Sequence, residues 1–443
     1  AFSKLQEWKA RGNPKPLLIQ GARQVGKTRL MREFGRRSFE EMAYVNFEQN
    51  SQAVRIFDGD ISPGNLLEKL EIETAIKLGT RTSLLILDEI QECPHALKAL
   101  KYFSEEMPGF PILAAGSLLG VALRHQKISF PVGKVEFLTI HPLTFNEFLL
   151  ALGEGALLQK IKELNFPFIR TFREKLENLL RTYFYVGGMP EAVSLFSQTR
   201  DHGRVRSVQL DLLRAFQADF SKHIPSYSIP KLGLIWRSIP ARIANGNGRF
   251  FWGELGKGAR ARDFEDALEW IRECGLVYRV NRIGKPDVPL MSYEDGNAFK
   301  LFFLDTGLLC AMAGLDGRSL IVGNKIFKEF KGALTEQFVL QQLIAMCEEH
   351  HVCYWEGRTA EVDFLLQLGG DVVPIEVKSA MNLRAKSLGV YCEKYEPKFA
   401  VRTSLADFKT VGNLIDIPLY CIEQIVKILA DAKSVITTNK PSK

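Results

Sequence analysis

Residues 17–28 read Leu-Leu-Ile-Gln-Gly-Ala-Arg-Gln-Val-Gly-Lys-Thr, an apolar run followed by the pattern G-x-x-x-x-G-K-[ST]. A strand before this loop and a helix over residues 28–34 after it favour phosphate binding over a glycine turn that binds nothing. Backbone N–H groups of the loop and the start of the helix would surround a β-phosphate. The residues predicted to form the loop are Gly21, Ala22, Arg23, Gln24, Val25, Gly26, Lys27 and Thr28.

Two side chains of the loop have separate expected roles. Lys27 should reach the β- and γ-phosphate oxygens, and Thr28 should ligate Mg²⁺. The sequence therefore predicts a nucleoside triphosphate site, with Mg-ATP as its ligand.

A second motif supplies carboxylates for the same chemistry. The apolar run at residues 84–87 ends in Asp88 and Glu89, and ligands of parallel sheets bind at the carboxyl ends of the strands. Asp88 would hold Mg²⁺ through water and Glu89 would polarise the attacking water, although a helix-capping acid pair is the alternative. The two motifs together predict ATP hydrolysis. A small-molecule kinase is disfavoured, because Glu89 beside the Mg²⁺ acid indicates water activation.

Three further residues are weaker candidates for contacts with the γ-phosphate. Ser117 follows the predicted strand at residues 111–115, where a phosphate sensor would lie. Lys134 and Arg124 are candidate cations that would act in cis or from a neighbouring subunit. For both cations an ordinary surface position is the alternative.

Composition indicates a globular protein of several domains. The chain has 443 residues, 46% hydrophobic and 25% charged, and a net charge of +7 with pI near 8.9. The positive charge favours a polyanionic partner such as DNA, with a mildly basic surface as the alternative. Seven scattered cysteines, a polar start and no apolar run of about 18 residues predict a cytoplasmic protein without a membrane partner.

The sequence resembles the bacterial and archaeal AAA-type ATPases that carry a C-terminal domain of unknown function 4143. That resemblance implies an α/β protein with a RecA-like parallel sheet, a helical lid, a winged helix and a small nuclease-like α/β domain. Many members carry Arg where this chain has Lys134, and an ammonium lacks the fork geometry of a guanidinium. The segments that carry the resemblance are residues 18–28, 87–91, 141–148, 185–192, 304–308, 361–364 and 375–379.

The order of apolar runs and helical stretches divides the chain into segments. Residues 229–304 have the element order of a winged helix. The predicted segments are an ATPase core at 1–140, a helical lid or connector at 141–217, a winged-helix domain at 218–324, a nuclease-like domain at 325–433 and a flexible tail at 434–443.

A set of carboxylates and a lysine in the last domain matches the order of a PD-(D/E)xK nuclease site. Glu336 lies on a predicted helix, Asp363 in one strand, and Glu376 and Lys378 on one face of the next. The acids would hold a second divalent ion, Mg²⁺ or Mn²⁺, and Lys378 would steady a hydroxide or the transition-state charge. A structural salt-bridge network, or a fold used only for binding, is equally compatible.

Basic residues of the predicted winged helix would meet phosphates, but its long helix also carries the acids Asp263, Glu265, Asp266 and Glu269. Protein docking therefore stays open beside DNA binding. The alternative function is a nucleotide-switched interaction module that contacts a protein partner or a second copy of itself. The basic residues are Lys257, Arg260, Arg262, Arg279 and Arg282.

Overall fold

The computed structural model describes residues 1–117, 131–224, 226–245, 248–256, 258–315, 325–346, 351–379 and 386–438. They form two compact units: Ala1–His141 with Glu273–Leu276, and Pro142–Arg272 with Val277–Lys443. Within the described ranges, no helix has both the length and the apolar character needed to span a bilayer.

Unit one contains a parallel sheet that includes the strands predicted before the loop and at residues 84–87 and 111–115. The strand β3 is buried along its whole length, which explains why its sequence is a continuous apolar run. The strand order is β2-β3-β4-β1-β5. The strands are β1 (Leu17–Gln20), β2 (Glu41–Asn46), β3 (Ser83–Asp88), β4 (Ile112–Ala115) and β5 (Glu136–Thr139).

The strand order decides which chain segments meet at the carboxyl edge of this sheet. Leu113 of β4 pairs with Leu17 of β1 on one side and with Ile86 of β3 on the other. The loop after β1 and the acids after β3 therefore flank the end of β4 at one edge. The helices of this unit are α1 (Phe2–Ala10), α2 (Lys27–Ser38), α3 (Ser51–Ile56), α4 (Pro63–Thr74) and α5 (Pro94–Glu106).

Unit two begins with the helices predicted for the lid. The first of them starts with a capping box, in which Thr144 and Glu147 satisfy each other's backbone N–H groups. These helices are α6 (Phe145–Ala151), α7 (Gly155–Lys162), α8 (Phe166–Thr171), α9 (Arg173–Val186), α10 (Pro190–Thr199) and α11 (His202–His223).

The segment predicted as a winged helix has the expected elements: α12 (Ile229–Asn245), a short 3-10 helix (Trp252–Leu255), α13 (Ala261–Glu273), β6 (Val277–Ile283) and β7 (Glu294–Phe303). The strand β7 begins before the apolar run at residues 299–304, because it pairs with β6 on both sides of a register shift at Asn281/Arg282. The winged-helix assignment stays a prediction.

The strands β6 and β7 belong to the same mixed sheet as the C-terminal strands. Its order is β12-β13-β11-β10-β9-β8-β6-β7, and Arg282 of β6 pairs in parallel with Tyr354 of β8. The sheet thus crosses the predicted boundary at 324/325, and the domain limits stay a prediction. The C-terminal strands are β8 (Val352–Glu356), β9 (Glu361–Leu368), β10 (Asp371–Val377), β11 (Ala400–Ser404), β12 (Lys409–Val411) and β13 (Leu414–Pro418).

Four more helices complete the described part of unit two: α14 (Thr306–Met312), α15 (Lys325–Met346), α16 (Lys386–Tyr395) and α17 (Ile425–Thr438). Of the predicted flexible tail, residues through Thr438 belong to α17, and 439–443 lie outside the described residues.

Candidate nucleotide site and carboxylate centre

The loop between β1 and α2 has the backbone conformation that its glycines permit. Gly21 and Gly26 have φ of 139° and 95°, and Gln24 also has a positive φ of 65°. A β-carbon at Gly21 would overlap the backbone oxygen of Ile140. Glycine is therefore required at Gly21 by both the dihedral angle and the close approach of β5's chain continuation.

Lys27 is a buried cation inside this loop, with 6% of its surface exposed. Its Nζ donates to the backbone oxygens of Gly21 and Ala22, both at 2.8 Å. Burial lowers the pKa of Lys27 to about 8, and the charges of Glu89 and Asp88 partly oppose that effect. Phosphate oxygens would be stronger acceptors for this ammonium than two carbonyls, because the hydrogen bonds would join opposite charges.

Asp88 joins the two sequence motifs at the sheet edge. Its Oδ2 accepts hydrogen bonds from Thr28 Oγ1 at 2.7 Å and from Tyr44 OH at 2.9 Å, and its Oδ1 accepts from Glu89 N at 3.1 Å. Burial, followed by the interactions with Asp88, raises the pKa of Tyr44. A hydroxyl and a carboxylate 60 residues apart thus offer hard oxygen ligands of the kind that Mg²⁺ prefers.

Glu89 follows Asp88 in a left-handed conformation, with φ 51° and ψ 47°. Non-glycine residues rarely adopt this region, and such outliers cluster at functional sites. Its Oε2 accepts a hydrogen bond from Gln91 Nε2 at 2.7 Å, and Gln91 is itself buried. Sequence reasoning missed Gln91 and Tyr44 as partners of the acids, although Gln91 stands in the quoted motif.

The three weaker candidates for γ-phosphate contacts differ in their position and burial. Ser117 is buried directly after β4, between the loop strand and the acid strand. Lys134 is partly exposed and forms an ion pair with Glu105 Oε1 at 2.9 Å, which lowers the pKa of Glu105. Its role as a γ-phosphate cation stays a prediction that requires this ion pair to break. Arg124 lies outside the described residues.

In unit two, the structure brings together the four residues of the predicted nuclease-type site. Lys378 Nζ lies 2.5 Å from Glu376 Oε1, and Asp363 Oδ2 accepts from Val377 N at 2.7 Å. Burial, followed by the charge of Asp363, raises the pKa of Glu336 to about 8 and that of Glu376 to about 7. Asp363 contributes to both shifts, and Glu361 contributes to that of Glu336. We call Glu336, Glu361, Asp363, Glu376 and Lys378 the carboxylate centre.

One atom of the carboxylate centre indicates that a cation fits there. Glu376 is 4% exposed, and its Oε2 has no hydrogen-bond partner among the described residues. A buried, unpaired carboxylate oxygen is unfavourable. The donor set of Asp363, Glu376 and Glu336 consists of carboxylate oxygens, which are suitable ligands for Mg²⁺ or Mn²⁺.

Two charged residues of the carboxylate centre escaped sequence reasoning. Lys300 of β7 has a completely buried side chain, and its Nζ lies 2.5 Å from Glu361 Oε1 and 3.8 Å from Glu336 Oε2. Arg249 pairs with the other oxygen of Glu361 and, at 3.0 Å, with Glu356. The available signal was a single lysine inside the apolar run at residues 299–304.

The basic residues predicted to contact phosphates differ in their exposure and in their ion pairs with the protein. Arg279 pairs with Glu269 at 3.6 Å and stacks 4.2 Å from the ring centre of Phe299, and Arg282 pairs with Asp295 and Glu356. These arginines already have protein partners. The exposed candidates are Arg260 and Arg262, and Lys257 lies outside the described residues.

His351, Cys353 and Glu294 form a cluster of side chains that could bind a metal ion at the start of β8. His351 Nε2 contacts Glu294 Oε1, and Cys353 Sγ donates to the same oxygen at 3.4 Å. Asn281 Nδ2 donates to Glu294 Oε2 at 2.7 Å. Because donors reach both oxygens of Glu294, this cluster is a hydrogen-bond network that links β6, β7 and β8.

Two of the segments quoted for the resemblance, residues 185–192 and 304–308, meet at buried Asp305. Its carboxylate accepts from Gly188 N at 2.6 Å, Leu308 N at 2.9 Å and Gln341 Nε2 at 3.1 Å. Tyr183 OH donates to the backbone oxygen of Leu143 and accepts from Gln341. Burial raises the pKa of Asp305, and the backbone donors oppose this effect. The network gives the Gly187-Gly188 turn a structural role within unit two.

Family models match three stretches of the chain. Residues 13–149 match "AAA domain", residues 177–319 match "Domain of unknown function (DUF8612)" and residues 331–422 match "Domain of unknown function (DUF4143)". The comparison with curated proteins found no match.

Several solved structures are similar to the chain at low identity. The Aeropyrum pernix ORC2 protein in ADPNP-ADP complexes is 16% identical, with 75% of this chain and 90% of that chain covered and a TM-score of 0.36. The Aeropyrum pernix ORC1 protein in complex with DNA is 15% identical, with coverages of 71% and 91% and a TM-score of 0.30. AMPPCP-bound DnaA from Aquifex aeolicus is 13% identical, with coverages of 61% and 85% and a TM-score of 0.26.

The family assignment of this chain is based on the family models and on the fold of each unit. The parallel sheet of unit one with its phosphate-type loop lies within the AAA match, and strands β8 to β13 lie within the DUF4143 match. The chain is an AAA-type P-loop protein that carries a C-terminal DUF4143 domain.

Proposed function

We propose that this protein binds Mg-ATP in the loop from Gly21 to Thr28 and hydrolyses it. The observation that carries the proposal is the 2.7 Å hydrogen bond between Thr28 Oγ1 and Asp88 Oδ2 at the carboxyl edge of the sheet. The bond joins the phosphate-loop motif to the acid motif, as a site for a nucleotide-bound cation requires. The AAA match over residues 13–149 supports the same function.

The side chains divide the work of phosphoryl transfer. Lys27 and the N-terminus of α2 would bind the β- and γ-phosphate oxygens, and Lys27 would exchange its carbonyl partners for them. Thr28 and Asp88 would hold Mg²⁺, which supplies neutralisation of the phosphate charge. Glu89, held by Gln91, would orient the attacking water and act as the general base that accepts its proton. Ser117 would contact the γ-phosphate from the end of β4.

Lys27→Ala tests nucleotide binding at this site. We expect ATP affinity to fall by about 100-fold or more, because at least two charge-assisted hydrogen bonds disappear. The measurement is a calorimetric titration with ATP and Mg²⁺. Arg29→Ala is the matched control, since Arg29 is exposed on α2 and its loss removes the same charge. Equal affinity in wild type and Lys27→Ala would reject the proposed site.

We further propose that the carboxylate centre hydrolyses phosphodiester bonds of DNA. Asp363, Glu376 and Glu336 would hold the divalent ion, and Lys378 would stabilise a hydroxide or the charge of the transition state. The observation that favours this activity is the unpartnered buried Oε2 of Glu376 beside Lys378. The net charge of +7 supports a polyanionic substrate.

A cleavage assay tests this second activity. We expect single- or double-stranded DNA to be cut in the presence of Mg²⁺ or Mn²⁺, and the rate to fall at least about 100-fold in Glu376→Ala/Lys378→Ala. The matched control is Glu393→Ala/Lys394→Ala, an exposed acid and lysine pair on α16. Absence of cleavage on every substrate would leave the nucleotide-switched interaction module, with a protein partner or a second copy docking on unit two.

The winged helix is proposed as the element that carries DNA contacts. Because Arg279 and Arg282 are engaged in closer ion pairs, these contacts would be made by exposed Arg260 and Arg262 at the start of α13, where Arg262 has a long 4.0 Å ion pair with Asp263. The acids of the same helix limit the contact to phosphates rather than base edges.

A further inference from the structure

Lys300 occupies a cation position inside the carboxylate centre. Its side chain is 0% exposed, and the nearest acceptors of its ammonium are carboxylate oxygens of Glu361 and Glu336. The ring of Tyr354, centred 5.1 Å from Nζ, covers another side of the ammonium. A lysine is almost never fully buried unless it is paired, so these contacts identify Lys300 as a permanent part of the centre.

The carboxylate centre has two parts that differ in their balance of charge. Two cations face the Glu361 carboxylate, because Lys300 lies against one oxygen and Arg249 against the other. At Glu376, Lys378 lies against Oε1, and the described residues place no cation against Oε2.

The pKa directions agree with this division. Burial, followed by the charge of Asp363, raises the pKa of Glu376, whereas Lys300 and Arg249 outweigh burial and lower the pKa of Glu361. Burial by itself lowers the pKa of Lys300, but the surrounding carboxylates outweigh it. Two cations thus contact Glu361, whereas Lys378 contacts Glu376.

We propose that Lys300 takes the place of a second metal ion, so that the carboxylate centre binds one divalent ion and not two. This inference rests on the metal site of the proposed function. The ion would bind on the side of Asp363 and Glu376, where carboxylate oxygen remains unpaired. A second ion would need the Glu361 carboxylate, which Lys300 already contacts, and the buried ammonium beside it would repel a divalent ion.

Lys300 and the acids of the carboxylate centre belong to different family-level segments. Lys300 lies in the stretch that matches DUF8612 (residues 177–319), whereas Asp363, Glu376 and Lys378 lie in the DUF4143 match. The pairing of β6 with both β7 and β8 brings β7 into the sheet that carries the acids. The carboxylate centre is thus a composite of two family-level segments of unit two.

The test is a count of Mn²⁺ ions bound by the full chain without nucleotide, by equilibrium dialysis and electron paramagnetic resonance. We count as ions of the carboxylate centre those that the wild-type protein binds and the Asp363→Asn variant does not. We expect one such ion in wild type. In Lys300→Met we expect two, with the exchange-coupled signal of a two-ion centre. Adding Glu361→Gln to Lys300→Met restores the charge balance and should return the count to one.

The outcomes separate this inference from the function on which it rests. Two ions in wild type, or one ion in a folded Lys300→Met variant, would overturn the role of Lys300 while leaving a metal centre in place. No ion sensitive to Asp363→Asn in either protein would overturn the proposed metal centre itself. If Lys300→Met does not fold, Lys300→Gln, which can still donate to Glu361, carries the same expectation of two ions.

Discussion

Glu89→Gln should abolish ATP hydrolysis while ATP binding persists. Glutamine cannot accept a proton from the attacking water, so we expect the turnover number to fall by about 100- to 1,000-fold. The amide oxygen of the new side chain can still accept from Gln91 Nε2, which keeps the local geometry. Turnover by phosphate release and affinity by calorimetry, measured on the same preparation, give the two quantities separately.

The matched control for this prediction is Glu92→Gln. Glu92 is exposed at the end of the 3-10 helix Ile90–Glu92, which directly follows Glu89, and it carries an equal charge. We expect its turnover to match wild type. An unchanged turnover in Glu89→Gln would contradict the assignment of Glu89 as the water-orienting acid, and so would an equal loss in both variants.

Gly187→Ala should remove most of the stability of unit two. Gly187 has φ 73° and ψ −165°, a region that is essentially restricted to glycine, and a β-carbon there would overlap Asp305 Oδ1. Asp305 would have to move and leave the N–H of Gly188 unpaired in a buried site. We expect the free energy of unfolding to fall by about 4 kcal/mol or more.

Hydrogen exchange locates this effect within the chain. Protection should be lost at residues 183–188 and 305–308, which share the Asp305 network. The control is Gly389→Ala in α16, where a β-carbon meets nothing within 4 Å and should stabilise by about 0.5 to 1 kcal/mol. If Gly187→Ala and Gly389→Ala have the same free energy of unfolding, the Asp305 network does not have the structural role assigned to it.

The nucleotide half of the molecule was largely predictable because its signals are local. Buried parallel strands are continuous apolar runs, and strand ends identify the sheet edge where Thr28 and Asp88 meet. Tyr44 was not predictable, since its contact with Asp88 depends on the lateral pairing of β2 with β3. Periodicity along a chain does not specify which strands lie side by side.

The carboxylate centre shows where local signals end. The spacing of Asp363, Glu376 and Lys378 predicted that these residues would meet, because β9 and β10 are consecutive strands. Lys300 comes from a strand that reaches the same sheet by pairing with β6, which itself pairs with β8. A lysine in an apolar run gives no indication of its partner 61 residues away, and only the sheet order supplies it.

A structure of the protein with a non-hydrolysable ATP analogue and Mn²⁺ would show whether the loop and the acids form one nucleotide site. We expect an anomalous Mn²⁺ peak beside Thr28 and Asp88, with Lys27 on the phosphates instead of on the oxygens of Gly21 and Ala22. Nucleotide bound away from this loop, or Mn²⁺ without contact to either motif, would contradict it.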